Sequence, residues 1–203
     1  MSKELLSAAA ISLTFGMFFP YIRSIQRGQT KPHVFSWVIW GLGTLIVFFA
    51  QLAGHGGLGA WPIGVSGVIT SYIALLAYLK RADTLITSSD WIFFSAALSA
   101  LPFWFLTSDP LWAVVTLTVT DLIGFGPTVR KAYRHPYGES VSFFALSAAR
   151  NLLVIFALEH YSLTTTLFPA VVGLACVLLV IMLICRRRLL IAARKTYHEE
   201  QSR

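Results

Sequence analysis

The chain has 203 residues, of which 56% are hydrophobic and 12% charged, and its formal net charge is +7. Soluble domains carry about 25% charged residues, so this composition, with a mean hydropathy of +0.70, excludes an ordinary water-soluble domain. The composition is instead typical of a protein that crosses a lipid bilayer several times.

Seven apolar segments of 17 to 22 residues follow one another along the chain. A helix of about 20 residues crosses the ~30 Å hydrocarbon layer, whereas the segments are too long for strands and lack period-two alternation. The sequence therefore predicts an all-α membrane protein with seven transmembrane helices. The expected helices are 5–22, 34–53, 60–79, 91–107, 110–129, 141–158 and 164–185.

Basic residues predict the orientation of these helices. All 16 Lys and Arg residues except Lys3 and Arg150 lie in alternate connections or at the C-terminal end, which comprises Arg186 and the tail 187–203. The positive-inside rule therefore predicts an outside N-terminus and a cytoplasmic C-terminus, in a bacterial cytoplasmic (inner) membrane. The positive charge is thus explained by topology and gives little reason to expect nucleic acid as a partner. The tail is either solvated or lies on anionic headgroups.

The sequence contains no recognisable metal, cofactor or catalytic motif. Cys176 and Cys185 are nine residues apart, on opposite faces of the last helix, and the five histidines are scattered. There is no P-loop, acid pair or nucleophile motif. We therefore expect neither a metal nor a cofactor, and we do not expect an enzyme.

An internal repeat relates the two halves of the chain. "FFPYIRSIQRG" (18–28) and "FGPTVRKAYRH" (125–135) share Phe, Pro and two Arg at an offset of 107 residues, and further matches include Pro62 with Pro169. The predicted plan is a three-helix unit (1–82), a linker helix (83–109) and a second unit (110–186), followed by the tail. Because three helices are an odd number, the linker helix restores the orientation and makes the repeat parallel.

Pro20 and Pro127 occupy the same position in the two units, near the cytoplasmic ends of the first and fifth helices. A proline inside a helix removes one backbone hydrogen bond and kinks the helix. The pair is interpreted either as hinges of a cytoplasmic gate or as static kinks.

Two three-helix units joined by a linker helix, with proline and basic residues ending the first and fifth helices, resemble the PQ-loop/SWEET superfamily. "FFPYIRSIQRGQTKPHVFSW" and "FGPTVRKAYRHPYGESVSF" carry the resemblance, although Tyr21 and Thr128 follow the prolines where that family has Gln. "TKPHVFSWVIWGLGT" and "SDPLWAV" are also similar to a group of bacterial seven-helix membrane proteins with no settled substrate. The superfamily contains sugar, vitamin and amino-acid transporters and receptor-like members, so the resemblance implies the fold more firmly than the cargo.

Two charged residues lie inside predicted helices. Asp121 lies nine residues before Arg130, and Arg150 lies nine residues after Val141, which places both roughly 13 Å from the cytoplasmic edge. A lone charge there costs at least about 2.5–3.5 kcal/mol. The sequence therefore predicts an Asp121–Arg150 ion pair, either a structural clasp or part of a substrate or proton site. The first-unit equivalents are the uncharged Thr14 and Gly43.

The second helix offers a polar and aromatic stripe for a solute. His33, Trp37, Trp40 and Thr44 follow helical spacing. Trp37 is better interpreted as part of an interfacial belt, and Trp40 either packs between helices or contacts the solute. The predicted contacts for a solute or proton are Asp121, Arg150, Asn151, Trp40, Thr44 and Tyr72.

These residues favour a secondary transporter or facilitator of a small polar solute, with a pathway between the two units. The alternative is a non-transporting receptor or scaffold in which the Asp121–Arg150 ion pair only holds the helices together. The expected partners are the lipid bilayer and the solute, and association into homo-oligomers is open.

Overall fold

The computed structural model describes residues 2–28, 32, 34–80, 88–134, 136–137 and 140–201. Within these ranges the chain is helical and contains no strand, so the predicted all-α class is confirmed. The α-helices are α1 (Lys3–Gln26), α2 (Val34–Ala53), α3 (Trp61–Leu79), α4 (Ser88–Thr107), α5 (Leu111–Arg134), α6 (Val141–Ala157) and α7 (Leu163–Gln201). A short 3-10 helix, Gly57–Gly59, precedes α3.

The helices have the apolar character of an integral membrane protein. Four spans, Lys3–Gln26, Val34–Ala53, Gly57–Leu79 and Leu163–Ala192, are long and apolar enough to cross a bilayer. Shorter apolar stretches occupy α4, α5 and α6. Large apolar side chains are exposed on all seven helices, which is unusual for a soluble monomer and normal for a surface facing lipid.

Three helices extend beyond their predicted ends. The predicted ends at residues 22, 129 and 185 are too early, because α1 continues to Gln26, α5 to Arg134 and α7 to Gln201. Hydropathy marks where lipid contact stops, whereas the backbone can stay helical into the headgroup region. In α1, Arg23 in the last turn favours this extension, because a cation there interacts favourably with the helix dipole.

The helices pair in the same way in the two predicted units. In the first unit α3 packs against both α2 and α1, and in the second α7 packs against both α6 and α5. Between the units, α1 packs against α6 and α2 packs against α5. Helices α1, α2 and α3 correspond to α5, α6 and α7, so each contact made by one unit has an equivalent contact in the other. Helix α4 packs on α5 and α2.

Small residues allow α2 and α3 to approach closely. A Cβ at Gly41 would lie 2.6 Å from Ser71 Oγ and 3.1 Å from the Ser71 backbone. A Cβ at Gly67 would lie 2.9 Å from the Leu45 side chain. Such contacts are the usual means by which helices associate in membranes, where lipid removes most of the hydrophobic drive.

The bundle has two distinct ends. We call the end with the C-termini of α1, α3, α5 and α7 the basic end, and the opposite end, with the start of α1 and the connections 54–60 and 158–162, the loop end. At the loop end, Lys3 Nζ donates to the Leu158 carbonyl oxygen. Leu58 N donates to Glu159 Oε1 at 3.1 Å, and Glu159 N donates to Gly56 O at 3.1 Å. These contacts join the two units.

Two further contacts close the same end. Gln51 is fully buried, and its Nε2 donates to the Thr165 carbonyl oxygen at 2.8 Å. Gly59 packs so tightly on Leu158 that a Cβ would lie 2.6 Å from the Leu158 nitrogen. We call these loop-end contacts between the units the loop-end seal.

Arginines of α7 organise the basic end. Arg186 Nε donates to the Tyr133 carbonyl at 3.3 Å, and its guanidinium lies 4.2 Å from the Tyr133 ring centroid. Arg187 Nε donates to the Pro136 carbonyl at 2.9 Å, and its guanidinium lies 5.1 Å from the ring centroid of Tyr137. Arg186, and Arg187 at the start of the predicted tail, therefore hold the end of α5 and its connection to α6.

Candidate functional site

A cavity of about 660 Å³ lies between the two units, and α1, α2, α3, α5, α6 and α7 all contribute to its lining. Its rim at the basic end contains the exposed residues Pro20, Ser140 and Ser142. Its deeper part contains buried side chains, among them Thr70 and Phe168. The cavity therefore opens toward the basic end, and the loop-end seal lies on the far side.

Arg150 is the buried cation of this cavity. Phe143, Ser147 and Arg150 follow one another at spacings of four and three residues on the same side of α6, and all three line the cavity. Arg150 is only 4% exposed. Its Nη2 donates to Asn151 Oδ1 at 3.2 Å, whereas Nε and Nη1 have no hydrogen-bond partner.

Asn151, which is not part of the cavity lining, holds the Arg150 guanidinium by a hydrogen bond. Asn151 is fully buried, and its Nδ2 donates to the Ser147 carbonyl at 2.9 Å. Gly173 of α7 covers it, since a Cβ at Gly173 would lie 3.1 Å from Asn151 Cβ. Asn151 therefore acts as a support for Arg150, where the sequence predicted a direct contact with solute.

Asp121 and Arg150 line the same cavity, but the predicted ion pair between them is not formed. Arg150 Nη2 is bonded to Asn151, and the other two guanidinium nitrogens have no partner. The prediction assumed that α5 and α6, adjacent in sequence, also pack together. Instead α6 packs chiefly on α7 and α1, and α5 packs on α4, α7 and α2.

The first-unit equivalents of these charges, Thr14 and Gly43, are uncharged and buried among the helices. Thr14 is fully buried, and its hydroxyl donates to the Ala10 carbonyl at 2.9 Å. Gly43 is buried beside Leu117 of α5. Among the described lining residues, the charged ones therefore both belong to the second unit.

Aromatic side chains form the wall of the cavity nearest the rim. Trp37 stacks on Tyr21 with ring centroids 5.1 Å apart and meets Trp40 edge-on at 5.6 Å. Phe18 contacts both Trp37, at 6.4 Å, and Phe143, at 6.2 Å. Trp37 therefore belongs to the cavity wall, and the belt interpretation does not describe it. The spacing of Trp37 and Trp40 was the sequence signal for this wall.

The remaining predicted site residues divide between the cavity and the surface. Trp40 and Thr44 line the cavity, whereas Tyr72 is 45% exposed and lies outside it. Ser66 and Thr70 of α3 face the cavity instead. Tyr72 is two residues beyond Thr70, about 200° around the helix, and so lies on the other face.

Of the two prolines predicted as hinges, the structure describes the side chain of Pro20 alone. Pro20 lies inside α1 at the rim of the cavity. The side chain of Pro127 and the whole of His33 lie outside the described residues, and the hinge role of the prolines stays a prediction. No group of His, Cys, Asp and Glu within the described ranges could hold a metal ion.

Comparison with known proteins gives no further assignment: no family model, curated protein or solved structure matches the chain.

Proposed function

We propose that the chain is a secondary transporter or facilitator that moves a small polar solute by alternating access between two three-helix units. In this proposal all seven helices cross the membrane, the loop end faces outward and the basic end faces the cytoplasm. The structure then corresponds to a state open to the cytoplasm. The resemblance to the PQ-loop/SWEET superfamily supports the same function.

The observation that carries the proposal is the position of the cavity. It lies between the units, opens at the basic end, and is separated from the loop end by the loop-end seal. A pathway that is open on one side only is what alternating access requires. The receptor or scaffold alternative relied on a structural Asp121–Arg150 ion pair, which the described geometry does not contain.

A solute screen followed by uptake tests the proposal. Purified protein is melted with sugars, nucleosides, vitamins, amino acids and organic anions at two pH values, because a ligand of the folded state raises its stability by mass action. Solutes that stabilise the protein are then tested for uptake into proteoliposomes. Stabilising solutes that enter only protein-containing vesicles support transport, and the absence of uptake for every such solute overturns it.

Asp121→Asn is the matched test of the site. If Asp121 takes part in the cycle, the variant loses uptake or its pH dependence while folding normally. Tyr72→Phe is the control, because Tyr72 was predicted at the site and lies outside the cavity. Equal uptake by both variants would remove Asp121 from the mechanism.

A further inference from the structure

We propose that the solute is a small organic monoanion, a carboxylate on an apolar or aromatic body, whose carboxylate binds Arg150. This inference rests on the proposed function and adds the chemical class of the solute.

The first step is the unmet charge of Arg150. Arginine stays protonated in proteins, and buried charges are ordinarily paired, since an unpaired one is costly. Arg150 is 4% exposed, and its Nε and Nη1, which together carry three N–H groups, have no acceptor. Asn151 supplies one neutral acceptor but no charge, and Asp121 does not pair with the guanidinium. An anion entering the cavity would complete this arrangement.

The second step is the charge of that anion. Among the described lining residues, the cavity has one cation, Arg150, and one carboxylate, Asp121. A dianion such as a phosphate monoester would meet one arginine and be repelled by Asp121. A carboxylate carries a single charge and fits the planar guanidinium well.

The third step is the body of the solute. A volume of about 660 Å³ far exceeds an inorganic anion and suits an organic molecule. Phe143 lies seven residues before Arg150, about 10 Å along α6. Phe18 packs on Phe143, and Trp37 packs on Phe18. A carboxylate bound at Arg150 therefore places its organic body toward these rings.

Three probes of similar size test the proposal on the unaltered protein: phenylacetate, its neutral amide phenylacetamide, and phenyl phosphate. Binding is measured by titration calorimetry of the full chain in detergent. We expect phenylacetate to bind at least tenfold more tightly than each of the other two. Equal affinities for acid and amide, or preference for the phosphate, would overturn the proposal.

Variants then locate the contact. Arg150→Gln should lower phenylacetate affinity at least tenfold and abolish the preference over the amide, and Arg150→Lys should retain part of it. Arg186→Gln is the matched control, because Arg186 is at the basic end and outside the cavity lining. An equal loss in Arg186→Gln would show a general charge effect and overturn the assignment.

Uptake separates this inference from the proposed function. Phenylacetate that binds through Arg150 but never enters proteoliposomes supports the anion site and counts against transport. Uptake of a neutral solute that Arg150→Gln leaves unchanged supports transport and overturns the anion site.

Discussion

At the scale of single residues, Asn151 is the side chain on which Arg150 depends. We predict that Asn151→Ala lowers the free energy of unfolding by about 1–3 kcal/mol, because it leaves the buried guanidinium without its one acceptor. Thermal melting in detergent measures this loss. Leu152→Ala, at an exposed position next in the chain, is the control and should cost less.

Asn151→Asp has a different expected outcome. The new carboxylate stands where Asn151 Oδ1 already accepts from Arg150. The protein itself then supplies the negative charge that we propose the bound solute provides. We predict that the fold is retained and that phenylacetate affinity falls at least tenfold. Undiminished affinity in a folded Asn151→Asp variant would contradict the assignment of Arg150 as the anion site.

Sequence reasoning found Arg150 but not its partner. The rise of 1.5 Å per residue predicts similar depths for Asp121 and Arg150, and both residues line one cavity. Counting residues does not reveal which helices are neighbours. The prediction of an Asp121–Arg150 ion pair was wrong for that reason. The prediction that Tyr72 lies at the site was wrong for a similar reason, because the packing of the units determines which face of α3 lines the cavity.

At the scale of elements, the pair α2–α3 depends on glycine. We predict that Gly41→Ala lowers the free energy of unfolding by about 1–3 kcal/mol, because its Cβ would overlap Ser71 and force the helices apart. The comparison is Gly16→Ala in α1, where a Cβ meets nothing within 4 Å. That change should raise stability by up to about 1 kcal/mol. Similar melting temperatures for the two variants would contradict the close approach of α2 and α3.

The helices themselves were largely predictable, whereas their ends were not. Apolar segments long enough to cross a bilayer reveal the helices, because lipid contact requires apolar side chains over that length. The continuation of α7 to Gln201 is different, since its last turns are polar. The hydrogen bonds from Arg186 and Arg187 to the α5–α6 corner are tertiary contacts, and hydropathy contains no information on them.

At the scale of the whole molecule, the two cysteines report which end is open. Cys176 is buried in the cavity wall, whereas Cys185 is exposed. In a Cys185→Ser background we predict that a small charged thiol reagent modifies Cys176 from the basic end and not from the loop end. Modification is followed by mass spectrometry in vesicles of the two orientations. Equal reaction from both ends would contradict a cavity closed by the loop-end seal.

A second prediction concerns the seal. Gly59→Ala would place a Cβ 2.6 Å from the Leu158 backbone nitrogen, so the connection must move away. In the same background we expect this variant to let the reagent reach Cys176 from the loop end as well. Unchanged protection would show that the seal does not depend on the Gly59–Leu158 contact.

Under the proposed cycle, the loop-end seal also affects the equilibrium between the state open to the cytoplasm and the state open to the outside. Four hydrogen bonds join the units there, made by Lys3, Leu58, Glu159 and Gln51. At a net 0.5–1.5 kcal/mol each, they are together worth about 2–6 kcal/mol. Under the proposed cycle, a state open to the outside breaks these bonds. Where no new contacts at the basic end offset them, that state is about 3% of molecules at most, as in a two-state equilibrium with a gap of a few kcal/mol. Under the proposed cycle, a solute arriving from outside meets few competent molecules, so its apparent affinity is weaker than its intrinsic affinity by that same fraction.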